Sequence, residues 1–503
     1  MNVIKTLEKL RAAGGKIVTA GLADAVIEQF AARDPKLVQA INEAAEAFDG
    51  LQRSHPALLK LDEWEQVRHL QADYVNFYAA DVVNPYVALA ARGPWIVTAK
   101  GAVLHDSGGY GMLGHGHAPA DVLAAMNRPH VMANIMTASF SQLAFVTALK
   151  KEIGQQRKDG CPYQRFLCMN SGSEAVTVAA RISDVNAKLM TDPGGKHAGK
   201  KIKKIALRGG FHGRTDRPAQ YSDSSRATYK KYLASFRDRD DLLTVAPNDE
   251  AGLRQVFADA DAQGVFIETL FMEPVMGEGN PGMAVTPAFY KLARELTRQH
   301  GTLLLMDSIQ AGLRTTGYLS ITDYPGFEGL DAPDMETYSK ALNAGQYPLS
   351  VLAMTEHAAG LYRTGIYGNT MTANPRALDV GTAVLEAVTP ELRANIVARG
   401  KEFVDKLNAL AGELNGRITR VQGTGLLFSA ELDPRYKCYG AGSTEEYLRT
   451  KGIGVIHGGK NSLRYTPHFH ITSEEVDMVI AATRDALLNG PQEQAADSKR
   501  ASA

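Results

Sequence analysis

The stretch LARELTRQHGTLLLMDSIQAG, residues 292–312, decides how this chain is read. A charged helical run stops at Gly301, and an apolar strand, Leu303 to Met306, follows and ends on a carboxylate, Asp307. The same alternation recurs on either side. RFLCMN (165–170) turns into the helical run SEAVTVAARISDVNA (173–187), KIALRG (204–209) meets a glycine-rich turn, and GVFIETLFMEP (264–274) meets another. Apolar, β-branched strands separated by helices predict βαβ units and a mostly parallel sheet covered on both faces. In such sheets ligands gather outside the C-terminal ends of the strands. The residues just past each strand are therefore the ones to inspect.

Outside this core the pattern changes. Residues 1–75 predict a helical N-terminal extension, in which Leu37, Ile41 and Ala45 fall at helical spacing. WIVTAKGAVLHDSGGYG (95–111) predicts a hairpin turning at Lys-Gly. Past residue 386 a long helical run (384–410), strands in GRITRVQGTGLLFSAEL (416–432) and a final helix over 473–488 predict a second, smaller α+β domain. The expected division is 1–75 extension, 76–135 first part of the small domain, 136–385 large domain, 386–490 second part of the small domain, and 491–503 a disordered polar tail.

Composition excludes several classes of function. Lys+Arg and Asp+Glu are 55 each, so no net field favours nucleic acid or an anionic membrane. The basic run GGKHAGKKIKK (194–204) reads as a solvated loop entering a strand. Three irregularly spaced cysteines argue against a disulfide framework and a four-ligand zinc site. With no secretory leader pattern and no apolar stretch long enough to span a bilayer, the expected location is cytoplasmic.

Three strand ends are chemically unusual. CMNSGSEA (168–175) places Ser171, Gly172 and Ser173 at a strand-to-helix turn, where helix N–H groups and the dipole favour an anion. Ser171 and Glu174 equally suit an ordinary capping box. Asp307, directly after a buried strand, needs a partner; a protonated ring nitrogen or an arginine each serves. Lys340, in ETYSKALNAG (336–345), follows Asp307 by 33 residues, room for one more helix-and-strand unit, and sits among small residues that permit close approach. An anion turn, a buried carboxylate and a lysine are the parts pyridoxal phosphate requires: the turn for its phosphate, the aspartate for its pyridine nitrogen, the lysine for the Schiff base.

The ordered motifs DSGGYGMLGHGHAP, NSGSEAV, FHGRT, EPVMGEGN, MDSIQAGLRTTG, YSKALNAG, NTMTANP and LRYTP, from about residue 90 to 488, go further. Together they resemble the class III (ornithine, acetylornithine and ω-amino acid) aminotransferases of the fold type I pyridoxal phosphate enzymes. The resemblance implies Lys340 as the Schiff-base lysine, Asp307 at the pyridine nitrogen and Gln310 near the phenolic oxygen. It also implies Gly172 and Ser173 at the phosphate, Phe211 stacked on the ring and His212 beside it. Thr370 matches a threonine that reaches the phosphate from the partner subunit, which implies a homodimer with composite sites. Arg464 matches the arginine that receives a substrate carboxylate, and Glu278 the glutamate that covers it; a plain ion pair is the alternative reading of these two. The implied function is ping-pong transfer of an amino group from an ω-amine, diamine or ω-amino acid to a 2-oxo acid. A racemase, aminomutase or decarboxylase on the same fold, or a non-catalytic cofactor-binding protein, are the rivals.

Ser308 stands where the family usually has glutamate, NPRAL replaces Asn-Pro-Leu-Ala, and His468 replaces a common proline; residues 1–75 match nothing in the pattern. The pairs His115/His117 and His468/His470 lack further ligands at suitable spacing, so no metal is expected.

Overall fold

A computed structural model describes residues 2–492 of the chain. It divides into two compact units, one of residues 120–398 with 423–427, the other of residues 1–119, 399–422 and 428 onward. The expected large-domain limits, 136 and 385, thus move outward to 120 and 398, because the helices Ala120–Asn127 and Pro375–Glu386 pack together. Apart from Pro491 and Gln492, the tail expected to be disordered lies outside the described residues. Among the described residues no helix is long and apolar enough to cross a membrane.

The first unit is built on seven strands: β1 (Arg165–Met169), β2 (Lys201–Leu207), β3 (Leu242–Val245), β4 (Val265–Met272), β5 (Leu303–Asp307), β6 (Met335–Tyr338) and β7 (Ser350–Met354). Their order is β1-β7-β6-β5-β4-β2-β3. Strands β2 to β6 run parallel, whereas β7 is antiparallel to both neighbours. Every residue of β4, β5, β6 and β7 is buried, as a sheet covered on both faces requires. The core on one side includes Phe257, Phe289 and Leu304, and that on the other includes Val178, Ile182, Leu305 and Leu352. Neighbouring residues of β5, Leu304 and Leu305, thus serve opposite faces, as the two-residue period of a strand demands.

Two buried ionic groups pin this sheet. Arg294 makes a two-pronged pair with Asp334 at 2.7 and 2.9 Å, fixing the helix Pro287–His300 to the approach of β6. Glu336 on β6 accepts hydrogen bonds from the hydroxyls of Ser308, Ser320 and Tyr163 and from the Ile321 N–H. Burial pushes its carboxyl above the usual range, against the pull of those four donors. The residue ties the turn after Asp307 to the strand that leads to Lys340. Replacing it by alanine strands four donors in a dry site. Glu336→Ala is expected to cost about 3–5 kcal/mol, read as a lower midpoint in chemical denaturation.

The other unit is α+β. Helices Val3–Arg11, Asp24–Ala31, Pro35–Ser54, Pro56–Lys60 and Glu63–Gln71 form the N-terminal region. Leu37, Ala40, Ile41, Ala44 and Phe48 make the buried stripe of the longest, while Ala45 is only half-buried. The expected hairpin is present: Trp95–Thr98 pairs antiparallel with Val103–Asp106. Its turn lysine, Lys100, is buried and donates to the carbonyls of Gly14, Leu59 and Leu61. Glu63 accepts from Val18 and Thr19 N–H at 2.7 Å each, and Trp95 Nε1 donates to Asp34 at 2.7 Å. The extension is therefore packed into this unit as part of its core. Arg464 belongs here, on the strand Ser462–Tyr465, which lies between Leu427–Leu432 and Ile456–Gly458.

Candidate active site

The loops after the strands of the seven-stranded sheet carry most of the candidate residues. Asp307 closes β5 and is 3% exposed. His212 Nδ1 donates to its Oδ2 at 2.8 Å, and Thr337 Oγ1 to its Oδ1 at 3.0 Å. The Ile309 N–H adds a longer bond of 3.3 Å to Oδ1. Every partner is a donor, and Thr337 comes from the neighbouring parallel strand, whose register sets it opposite Asp307. The His212 N–H donates to Ser222 Oγ at 2.9 Å, so the imidazole is held at its backbone as well as at its ring.

Lys340 follows β6 in a short 3-10 turn, Lys340–Asn343, with φ of +47°. A non-glycine residue in the left-handed region costs on the order of 1 kcal/mol. Such strain persists where the surrounding structure over-determines the backbone, here through Ser339 Oγ and Asn343 Nδ2, both donating to the Leu349 carbonyl.

The anion turn is a helix N-terminus. Ser171 caps the helix Gly172–Thr191, and Ser171 and Glu174 form a complete capping box. Glu174 Oε2 accepts from the Asn170 and Ser171 N–H groups at 2.8 and 3.0 Å. The Ser171 hydroxyl is therefore engaged as a cap, while the first-turn N–H groups of Gly172 and Ser173 have no acceptor within the helix. The capping-box reading is borne out, and it does not compete with an anion at the same turn. A Cβ on Gly172 would stand 2.7 Å from Ile309, and one on Gly213 would stand 2.4 Å from Ser173 Oγ. A side chain at either place would force Ile309 or Ser173 to move, and at Gly213 the φ of +114° disfavours one as well.

Phe211 presents its ring with the Arg214 guanidinium 5.5 Å from the centroid, and its N–H donates to Glu273 Oε1 at 3.0 Å. Glu273 also accepts from the Gly277 N–H at 2.9 Å. Burial holds this carboxyl up at about 7; His212 pulls it down and Asp307 pushes it up. A Cβ on Gly277 would stand 2.2 Å from the Gln310 side chain, so that amide lies directly on the backbone before Glu278. Glu278 is half-buried between Gly277 and Gly279, and the backbone of Gly279 packs on that of Gly209. Thr370 is exposed, on a loop that Tyr367 and Asn369 tie to Glu174 Oε1 at 3.2 and 2.7 Å. Arg464, 5% exposed, lies in the other unit.

Asp307, His212, Phe211, Gln310, the Ser171–Ser173 turn, Lys340, Glu278 and Thr370 thus all belong to one compact unit. Sequence reading missed Glu273, Thr337 and Ser222. Glu273 was within reach, because it is the carboxylate directly after β4, as Asp307 is the carboxylate that closes β5.

The family model described as aminotransferase class-III matches residues 77–487, most of the chain. The chain belongs to the class III aminotransferases. It is similar to ornithine aminotransferase 2 of Staphylococcus aureus, 28% identical over 422 residues, covering 82% of this chain and 97% of that protein. The acetylornithine/succinyldiaminopimelate aminotransferase of Yersinia pestis is 30% identical over 328 residues, covering 64% of this chain and 74% of that one. Among solved structures, ornithine aminotransferase from Toxoplasma gondii ME49 superposes with a TM-score of 0.71 at 25% identity, covering 87% of this chain and 98% of that chain. An S-selective transaminase from Bacillus megaterium, at 17% identity and a TM-score of 0.70, shares the fold.

This class III transaminase is a fold type I enzyme that depends on pyridoxal phosphate, and the residues present fit that cofactor. The glycine-walled turn at Gly172 and Ser173 suits the phosphate. A donor-ringed carboxylate suits a cationic ring nitrogen, and a half-buried lysine after β6 suits the aldehyde.

Proposed function

We propose that the amino donor carries its reactive amine away from an α-carboxylate, as an ω-amine, diamine or ω-amino acid does, and that a 2-oxo acid accepts the amino group in a ping-pong cycle. Pyridoxal phosphate, when bound, supplies an aldehyde that carries the amine and a ring that draws electrons from it. Asp307 places a negative charge for the ring nitrogen, and His212 and Thr337 fix its two oxygens. Lys340 Nζ moves the proton at the substrate carbon. Gly172 and Ser173 hold the phosphate by backbone N–H, Gln310 approaches the phenolic oxygen, and Phe211 covers the ring.

The donor class rests on the sequence resemblance, in which Arg464 and Glu278 match an arginine and a glutamate of the substrate end. Arg464 offers a planar fork suited to a carboxylate. Glu278, between Gly277 against the Gln310 side chain and Gly279 against the Gly209 backbone, offers the opposite charge for an amine. The relatives named for ornithine and acetylornithine support the same class.

Absorbance titration of the cofactor-loaded enzyme tests this. Ornithine, lysine or a simple ω-amine is expected to bleach the visible band, and a 2-oxo acid to restore it. Glu278→Ala is expected to raise KM for such donors about tenfold, the worth of one charged contact, while leaving glutamate nearly unaffected. A band that shifts without bleaching for every amine would instead favour a racemase or aminomutase.

We also infer a homodimer with composite sites. Ile135, Met136, Phe140, Leu143 and Met371 are exposed apolar residues of one unit, and Ile135, Met136 and Thr370 border one cavity of about 740 Å³. A second copy covering this face would bury them and receive Thr370. The three free thiols, Cys161, Cys168 and Cys438, fit a reducing, cytoplasmic location.

A further inference from the structure

We propose that His105, His468 and Glu475 form a divalent-cation site of the zinc class in the α+β unit, which is not the unit that holds Asp307 and Lys340. The three residues come from the strand Val103–Asp106, the segment after Ser462–Tyr465 and the first turn of the helix Ser473–Asn489. All are buried, with exposures of 0%, 6% and 4%. His105 Nε2 and His468 Nε2 each stand 3.1 Å from the same carboxylate oxygen, Glu475 Oε1. The three atoms lie within 4.8 Å of one another.

The spacing suits an ion. With bonds of about 2.0–2.1 Å, neighbouring ligand atoms of a tetrahedral zinc sphere stand about 3.3–3.4 Å apart. Both nitrogen–oxygen separations need open by only a few tenths of an ångström, and the two nitrogens, which lie within 4.8 Å of each other, are brought to the same spacing by the ion. The surrounding contacts aim the right atoms inward. His105 Nδ1 lies 3.0 Å from Ser107 Oγ, and in the tautomer that donates there the Nε2 lone pair faces the centre. Glu475 Oε2 is occupied by the Thr472 N–H at 2.7 Å, so Oε1 is left to act as a single-oxygen ligand.

Two imidazoles and one carboxylate make a set that zinc favours over magnesium or calcium, which take oxygen-rich spheres. A cavity of about 260 Å³ reaches His468 and Glu475, with His470, Asp34, Glu474 and the cations Arg33 and Lys36 also on its wall. The alternative is a purely hydrogen-bonded trio in which Oε1 accepts from both imidazoles, and it binds no ion.

The ion's role is structural. It joins the hairpin to the chain that follows Arg464, where Thr466 N–H already donates to the Ser107 carbonyl at 2.7 Å and Phe469 N–H to the Gly114 carbonyl at 2.7 Å. Sequence spacing hid the site, because its members lie 363 and 7 residues apart and only His468 belongs to an adjacent pair.

The test uses holoenzyme stripped with dipicolinate and titrated with zinc chloride, with bound metal counted by equilibrium dialysis and elemental analysis. One zinc per chain is expected. His105→Gln and His468→Gln are each expected to weaken it at least 100-fold, and Ser107→Ala about tenfold. The cofactor's visible spectrum reports that each variant is folded and loaded. Absence of one-to-one binding by the wild type, or wild-type affinity in His105→Gln and His468→Gln, would overturn the proposal.

Discussion

Turnover by a Lys340→Ala variant is expected to fall on the order of 10⁴-fold or more, the upper range for loss of a positioned acid–base group, here compounded by loss of the covalent anchor. The fold is expected to survive. Lys340 is half-buried on a short 3-10 turn whose neighbours, Ser339 and Asn343, are fixed by the Leu349 carbonyl. Alanine also accepts the left-handed backbone at no greater cost than lysine. Far-ultraviolet circular dichroism is therefore expected to match the wild type, while steady-state assays show the loss. The phosphate turn and Asp307 are untouched by the substitution, so cofactor is expected still to bind, without a covalent link. A small exogenous amine is expected to restore part of the rate.

The second large effect belongs to Asp307. Its three partners, His212 Nδ1, Thr337 Oγ1 and the Ile309 N–H, are all donors. In Asp307→Asn the amide oxygen can accept from one side, but the NH₂ group meets a donor on the other. The charge that balances a cationic ring nitrogen is also gone. A fall of about 10²–10³-fold in kcat is expected, comparable to removal of one preorganised electrostatic partner of a transition state. Weaker cofactor retention on dialysis is expected alongside. Thr337→Val, which removes one donor and keeps the charge, is expected to give a far smaller loss; equal losses in the two variants would show that the charge is not what matters.

The sequence disclosed the parts of this site that follow a local rule. Asp307 closes an apolar strand, the Ser171–Ser173 turn begins two residues past another, and Lys340 follows β6 by two residues. Those positions are what a parallel sheet dictates for ligand contacts. Glu273 obeys the same rule after β4 but was passed over for Glu278, which the motif resemblance singled out. Glu336 obeys no local rule. Its donors come from residues 163, 308, 320 and 321, and only the folded chain collects them.

Strand direction was hidden too. Ser350–Met354 is buried throughout, and an unbroken apolar strand reads alike whichever way it runs, so its antiparallel pairing with both neighbours left no trace in the pattern. Residues 1–75 match nothing in the motif pattern, so the pattern is silent on where the extension packs. Lys100 and Glu63, each buried and bonded across long stretches of chain, make it part of the unit.

The claim that Lys340 is the residue joined to pyridoxal phosphate carries the rest of the account. Borohydride reduction of the loaded enzyme, followed by proteolysis and mass spectrometry, tests it most directly. A single phosphopyridoxyl group on the peptide containing Lys340, in near-stoichiometric yield and absent from Lys340→Ala, is the predicted result. The group on another lysine, or no covalent group from an enzyme that turns over, would contradict the account.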